Sequence, residues 1–357
     1  MITRRQLNAG LLGAAIAPAV PALSFAQDKP FEGITLRFGT YGGYWQQQLH
    51  ELVGTQLEKM GAKMEYVTGT PRDNLAKLIA SRGQEPPIDL MELTDSIRTD
   101  LQKSGFLVPL NYDNIPNAKP LTATQRETDL VSNWITDECV VYNTEKFKEA
   151  GLPPPDKFED LFNPKLAGHV SFPEMSYGGV INALIGLTNE LSGGDESNID
   201  AGLEAVKKLN PATFYKTSAD LSTQFKSGDI WVAIWHAGWA VRLRKAGLPI
   251  GTTHPKVKGK TGMVALGWLG AIKGGRSQKA AETFMNLYLS TPVQETLCRA
   301  NGIVPVNPEA AMKLQDDPLL KEMMLLTPEQ VANAYYADWS KVSMAQWGQK
   351  WNRVVLR

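Results

Sequence analysis

Cysteine is scarce: Cys139 and Cys298 are the only two in 357 residues. Two cysteines give no disulfide framework, and their spacing does not decide whether they pair. Histidine is nearly as rare, with His50, His169, His236 and His254 alone. These few scattered residues offer no metal-ligand spacing, so neither a metal nor another cofactor is expected. The short catalytic motifs are missing as well. G-x-S-x-G and H-E-x-x-H do not occur, and no two glycines are separated by a single residue, which removes G-x-G-x-x-G. Gly259-Lys260-Thr261 looks like the end of a P-loop, but His254 stands where its first glycine belongs. No catalytic residue is assigned, although a site assembled from distant residues leaves no such trace. Neither sign of charge is in excess: 37 Lys and Arg face 37 Asp and Glu. That balance argues against nucleic acid or a membrane surface as the partner.

Only one apolar run is long, and it is not long enough to span a membrane comfortably. Ala9 to Leu23 follows a basic head carrying Arg4-Arg5, contains Pro18 and Pro21, and ends in Ser24-Phe25-Ala26. A basic head, a short apolar middle and small residues at the last positions make a secretory leader, residues 1–26, cleaved before Gln27. The paired arginines with Leu7 fit twin-arginine export; Asn8 stands where that pattern favours Lys. Cleavage leaves 331 of the 357 residues, which is more than one core usually serves, so two domains are expected.

What is present is an alternation of strand-like and helix-like segments. Ile34 to Phe38, Lys63 to Val67 and Ile88 to Leu93 read as strands. Between and after them, Trp45 to Met60, Leu75 to Ile79 and a segment opened by Asp95 read as helices. This is the β-α-β series of an open sheet covered by helices. The second half repeats it, with strands at Cys139 to Tyr142, His169 to Phe172, Ile230 to Trp235 and Met263 to Ile272. Helices are expected from Gly178-Gly179 to Leu191, over Ala237 to Lys245 and over Ser277 to Ser290.

Aromatics and glycines gather where strands give way to helices: Tyr41-Gly42-Gly43-Tyr44-Trp45, Trp235-His236-Ala237-Gly238-Trp239 and Gly267-Trp268. Ligands of open α/β sheets bind beyond strand carboxyl ends, where aromatics offer flat apolar walls and helix N-termini favour anions. Each residue also has a plainer role. Trp231, Trp339, Trp347 and Trp351 read as core, Trp239 as either core or wall, and His236 as a hydrogen-bonded structural histidine unless its junction position makes it a contact.

Several stretches, in order, resemble bacterial extracellular solute-binding proteins of ABC importers, and among them the group that includes spermidine/putrescine-binding proteins. They include Leu36 to Gly43, Ile88 to Leu93, Gly105 to Leu110, Val141 to Phe147, Asn163 to Val170, Phe225 to Trp231, Gly302 to Asn307 and the tryptophan-rich tail. The resemblance implies an α/β, two-lobed periplasmic-binding fold (type II) with a ligand cleft between lobes joined by crossing strands. It implies lobe one at 30–138 plus 268–308 and lobe two at 139–267 plus 309–357. It further implies a periplasmic monomer that hands a small-molecule solute to an inner-membrane permease. The cleft contacts expected on this basis are Tyr41, Gly43, Tyr44, Trp45, Thr94 and Asp95 from lobe one. Tyr177, Ser218, Trp235, His236, Trp239 and Trp268 complete the set.

Polyamine binders of the group hold ammonium groups with carboxylates, and here those acids are missing. None lies at His236 to Gly238, and Leu269-Gly270 follow Trp268. Asp95 could supply one, but capping the following helix is its expected role. An unpaired dication would be costly to desolvate, so a neutral, zwitterionic or anionic solute is expected. The alternatives are a polyamine, ferric iron, an enzyme on the same scaffold using His236, which has no obvious partner, or a chemoreceptor adaptor. Iron would call on Tyr335-Tyr336, which as neighbours on a helix would point apart.

Overall fold

The computed structural model describes residues 29–192 and 194–356. The expected leader and its cleavage site lie outside the described residues. Among the described residues twelve strands are formed: β1 Thr35–Thr40, β2 Lys63–Thr68, β3 Leu90–Thr94, β4 Val131–Asn143, β5 Val170–Pro173, β6 Thr213–Tyr215, β7 Val232–His236, β8 Ile250–Thr253, β9 Lys256–Val257, β10 Lys260–Thr261, β11 Met263–Ala271 and β12 Tyr335–Tyr336. Ten of them make one sheet in the order β2-β1-β3-β11-β4-β7-β5-β6, with β12 beside β11 and β8 beside β4. β9 and β10 form a separate antiparallel pair.

The opening β-α-β series is present as expected. β1 pairs in parallel with β2 and β3, and it is buried along almost its whole length because helices cover both faces. Its one strong charge, Arg37, forks onto Asp89, with Nη2 2.6 Å from Oδ1 and Nε 2.9 Å from Oδ2. The expected helix from Trp45 to Met60 forms as Tyr44–Leu49 and Thr55–Lys59 around a π-helical turn at His50–Gly54. The later helices form at Val180–Ser192, Ala237–Lys245 and Gln278–Tyr288.

β4 is longer than the sequence pattern suggests, and its thirteen residues organise the molecule. Val131 to Glu138 pair with β11, while Glu138 to Tyr142 pair with β7. β3 runs parallel to β4, since both are antiparallel to β11; β7 and β5 run against β4. The carboxyl ends of the two strand sets therefore face each other across the middle of β4. This is the two-lobed α/β fold, with a cleft where the strand ends meet.

One buried apolar cluster extends from Phe38 and Phe284 through Trp268 to Trp235 and Phe225. A second surrounds the helix Val180–Ser192 and includes Trp339, Trp347 and Trp351, the core positions expected of the tail. Trp231 is only half-buried; it stacks on His169 at 3.7 Å between ring centroids. Cys139 and Cys298 are both buried and free, so they do not pair.

Candidate functional site

Register fixes the frame of the cleft. Thr94, the last residue of β3, lies opposite Gly267, which in turn lies opposite Trp134 of β4. His236, the last residue of β7, lies opposite Glu138. The two strand ends are thus four residues of β4 apart, roughly 13 Å.

The lobe-one wall carries Tyr41, Gly43, Tyr44 and Trp45. Gly43 takes φ 66°, a backbone that a side chain would strain, and starts the helix without a side-chain cap. Tyr44 is 65% exposed at the lip, and its hydroxyl accepts from Gln48. Tyr41 meets Trp45 edge-on at 6.5 Å, and burial, aided by the Glu92 charge and Tyr177, pushes its hydroxyl pKa up. Trp45 donates its indole N–H to Glu92 at 2.9 Å. Glu92 also accepts from Thr40 at 2.5 Å, Asn133 at 2.8 Å and Trp134 at 3.0 Å. Burial raises the Glu92 pKa and those four donors act against the rise. Gly267 makes room for the Trp134 indole: a Cβ there would stand 2.2 Å from its ring.

The lobe-two wall gathers the other candidates. The Tyr177 hydroxyl lies 2.9 Å from Ser218 Oγ, and Trp235 donates to the same oxygen at 3.2 Å. Trp235 is nevertheless 1% exposed, stacked between Phe225 and Trp239, so it supports the wall and does not face a solute. Trp239 is half-buried, with the Arg242 guanidinium 4.4 Å from its ring centre. His236 is the N-terminal flanking residue of the helix Ala237–Lys245, and its Nδ1 is 2.5 Å from Glu138 Oε1. Burial acts to lower the His236 pKa, but the Glu138 carboxylate, with Asp137 behind it, raises it further, and the net shift is upward.

The remaining lobe-one candidates have other duties. Thr94 flanks the helix Asp95–Ser104, and its hydroxyl meets Ser96 at 2.9 Å. Asp95 does not cap that helix. It is 2% exposed and accepts from Leu266 N–H at 2.7 Å, Trp268 Nε1 at 2.8 Å and Tyr336 OH at 2.8 Å. Trp268, expected on the wall, is fully buried behind it. Tyr335-Tyr336 form a short strand, not part of a helix, and their hydroxyls go to Glu196 and Asp95 respectively.

Sequence reasoning missed Glu138, Glu92, Asn133 and Trp134. It also left His236 without a partner, which Glu138 supplies. The signal was Asp137-Glu138 followed at once by the strand-like Cys139 to Tyr142. Two acids on consecutive strand residues must face opposite sides of a sheet.

Elsewhere, a cavity of about 330 Å³ is lined by Asp156, Lys157, Glu159, Glu190 and His254 among others, and by none of the expected contacts. Among the described residues no cluster of three or more His, Cys, Asp or Glu is arranged to hold a metal ion. No described helix is long and apolar enough to cross a membrane.

A family model described as "Bacterial extracellular solute-binding protein" matches residues 56–322. A comparison with curated proteins finds no match. Solved structures with the same fold include an ABC transporter protein from Clostridium perfringens, 22% identical, covering 89% of this chain and 99% of that one at TM-score 0.74. MotA from A. tumefaciens B6, a periplasmic binding protein in complex with glucopine, is 16% identical over 90% of this chain and 99% of its own, at TM-score 0.69. A protein from Listeria monocytogenes described as a spermidine/putrescine ABC transporter is 16% identical, over 90% and 99%, at TM-score 0.71.

Proposed function

The chain belongs to the bacterial extracellular solute-binding protein family, and on that premise we propose that it captures a neutral, zwitterionic or anionic small organic solute in the interlobe cleft. It would then deliver that solute to the inner-membrane permease of an ABC importer, acting as an exported periplasmic monomer. The observation that carries the solute class is the occupancy of the cleft's acids. Glu92 has four side-chain donors, Asp95 has Leu266, Trp268 and Tyr336, and Glu138 has His236. An ammonium group entering this cleft would find Glu92 and Asp95 already hydrogen-bonded and Glu138 facing His236, and an unpaired charge there is costly. The family and the glucopine complex of MotA support solute capture over chemistry. Among the described residues no hydroxyl or thiol nucleophile is hydrogen-bonded to His236.

A polyamine is the second reading, favoured by the Listeria neighbour. A thermal-shift panel separates the two, because a solute that binds only the folded state raises the melting temperature. Amino acids, betaines and organic acids are expected to stabilise the protein, and spermidine, putrescine and ferric citrate are not. A saturating polyamine response with no response to the acids would refute the proposed class. Tyr41→Phe and Trp45→Phe are the variants for localising a hit, since Trp235→Ala would excavate the core.

A further inference from the structure

We infer that His236, braced by Glu138, is the specificity-determining group of the cleft and selects solutes that carry a carboxylate. The inference rests on the solute-binding reading above and names the chemical class that reading leaves open. Three observations lead to it.

The pair is built by strand register. Directly opposed residues on neighbouring strands share a face, and His236 and Glu138 are such a pair, with the ring nitrogen 2.5 Å from the carboxylate. The exposure of the two partners is unequal. The Glu138 side chain is 2% accessible and that of His236 22%, so a solute meets the imidazole and not the acid.

The second observation concerns the other ring nitrogen. Nε2 makes no hydrogen bond among the described residues, and Nδ1 faces Glu138 Oε1 as an ion-pair contact at 2.5 Å. In the imidazolium both nitrogens donate; in the neutral ring with its proton on Nδ1, Nε2 only accepts. By favouring the imidazolium, Glu138 keeps Nε2 a charged donor. The groups around the ring are Glu138 and Asp137 from β4, Tyr177 from the loop after β5 at 5.8 Å and Arg242 on the helix that His236 flanks. Burial acts to lower the histidine pKa, but the two carboxylates outweigh burial and the single arginine together, and the net shift is upward.

The third is space. A Cβ at Gly179 would stand 3.7 Å from His236 Cε1 and 2.7 Å from the Tyr177 ring. Glycine at this position leaves the Tyr177 ring its place beside the imidazole, while the contact to His236 would be an ordinary one.

The test uses the unmodified mature chain and a panel of small organic acids and amino acids. Each acid is paired with its methyl ester or amide, and binding is read by tryptophan fluorescence between about pH 6 and 9. Acids are expected to bind at least about tenfold more tightly than their esters, the value of a hydrogen bond between charged groups. That preference should decline as the pH rises through the raised histidine pKa. His236→Gln should abolish both the preference and its pH dependence, and Glu138→Gln should move the decline to lower pH. Equal binding of acid and ester, or a preference unchanged in His236→Gln, would overturn the inference and leave solute capture standing. A protein that binds no panel member, and carries no solute detectable by mass spectrometry on denaturation, would overturn the solute-binding reading itself. The acid–ester comparison needs no variant, so a misfolded substitution does not compromise it.

Discussion

Gly267 shows how one missing side chain arranges several others. Its register partner is Trp134, whose indole occupies the space a Cβ would need and donates to Glu92. Gly267→Ala should therefore be destabilising by about 1–3 kcal/mol, the usual cost of overpacking a core, and should weaken solute binding by displacing the Trp134–Glu92 contact. A urea melt that moves by less than about 0.5 kcal/mol would show that the indole gives way freely. At this scale the sequence was only partly legible. That aromatics and glycines crowd the strand-to-helix junctions can be read directly. Whether a given tryptophan faces the cleft or the core cannot, because neighbouring strands decide it: Trp45 is half-buried on the wall, while Trp235 and Trp268 are sealed beneath it. Asp95 looked like a helix cap for a similar reason, since its real partners come from β11 and β12, some 170 and 240 residues further along the chain.

Among the elements, β4 was the hardest to read and matters most. Its second half is apolar and legible, but Ser132, Asn133, Thr136, Asp137 and Glu138 break the pattern in its first half. They are polar because this part of the strand is covered by polar partners on both faces. Glu138 turns to His236, and Asp137 turns the other way to His254 at 2.9 Å and to the Leu325 N–H at 2.8 Å. Burial alone would lower the His254 pKa, but the Asp137 charge and hydrogen bond raise it on balance. A histidine whose folded pKa exceeds its unfolded value of about 6.5 binds its proton more tightly in the folded state. Its contribution to stability is complete below that value and is lost as the pH rises through the folded pKa. Glu92 and Asp95, also raised, lose theirs in the same direction, starting from their ordinary values of about 4. The melting temperature of the unliganded protein should therefore fall from about pH 6.5 upward, and His254→Gln should flatten part of that fall. Parallel curves for the two proteins would mean that the His254–Asp137 pair carries no proton linkage.

For the whole molecule, the sheet is continuous from β2 to β6, so relative motion of the lobes has to be absorbed where the chain passes between them. β4 and β11 are two such passages. A third follows the helix Thr291–Asn301, where Val304 bridges to Ile135 of β4. Beside that third passage, Gly238 at the start of the lobe-two helix meets Gly302 backbone to backbone. A Cβ on Gly238 would lie only 1.8 Å from the Gly302 carbonyl oxygen. Arg242, one turn along the same helix, donates to the Asn301 carbonyl at 2.7 Å, and Asn301 donates in turn to Gln48 at 2.7 Å. With the lobes divided as proposed, at 30–138 plus 268–308 and 139–267 plus 309–357, this contact joins one lobe to the other. It lies close to the passages about which a hinge would turn. A methyl group added there has no flexible side chain to displace, only backbone. Gly238→Ala should therefore wedge the lobes apart while each keeps its own core. Small-angle scattering of the wild-type protein should show a smaller radius of gyration once it is saturated with its tightest-binding acid. The variant should bind that acid more weakly and fail to contract. Contraction of the variant to the wild-type value would show that the lobes turn about some other contact, and a loss of the folded signal in circular dichroism would assign Gly238 to the core instead of the hinge.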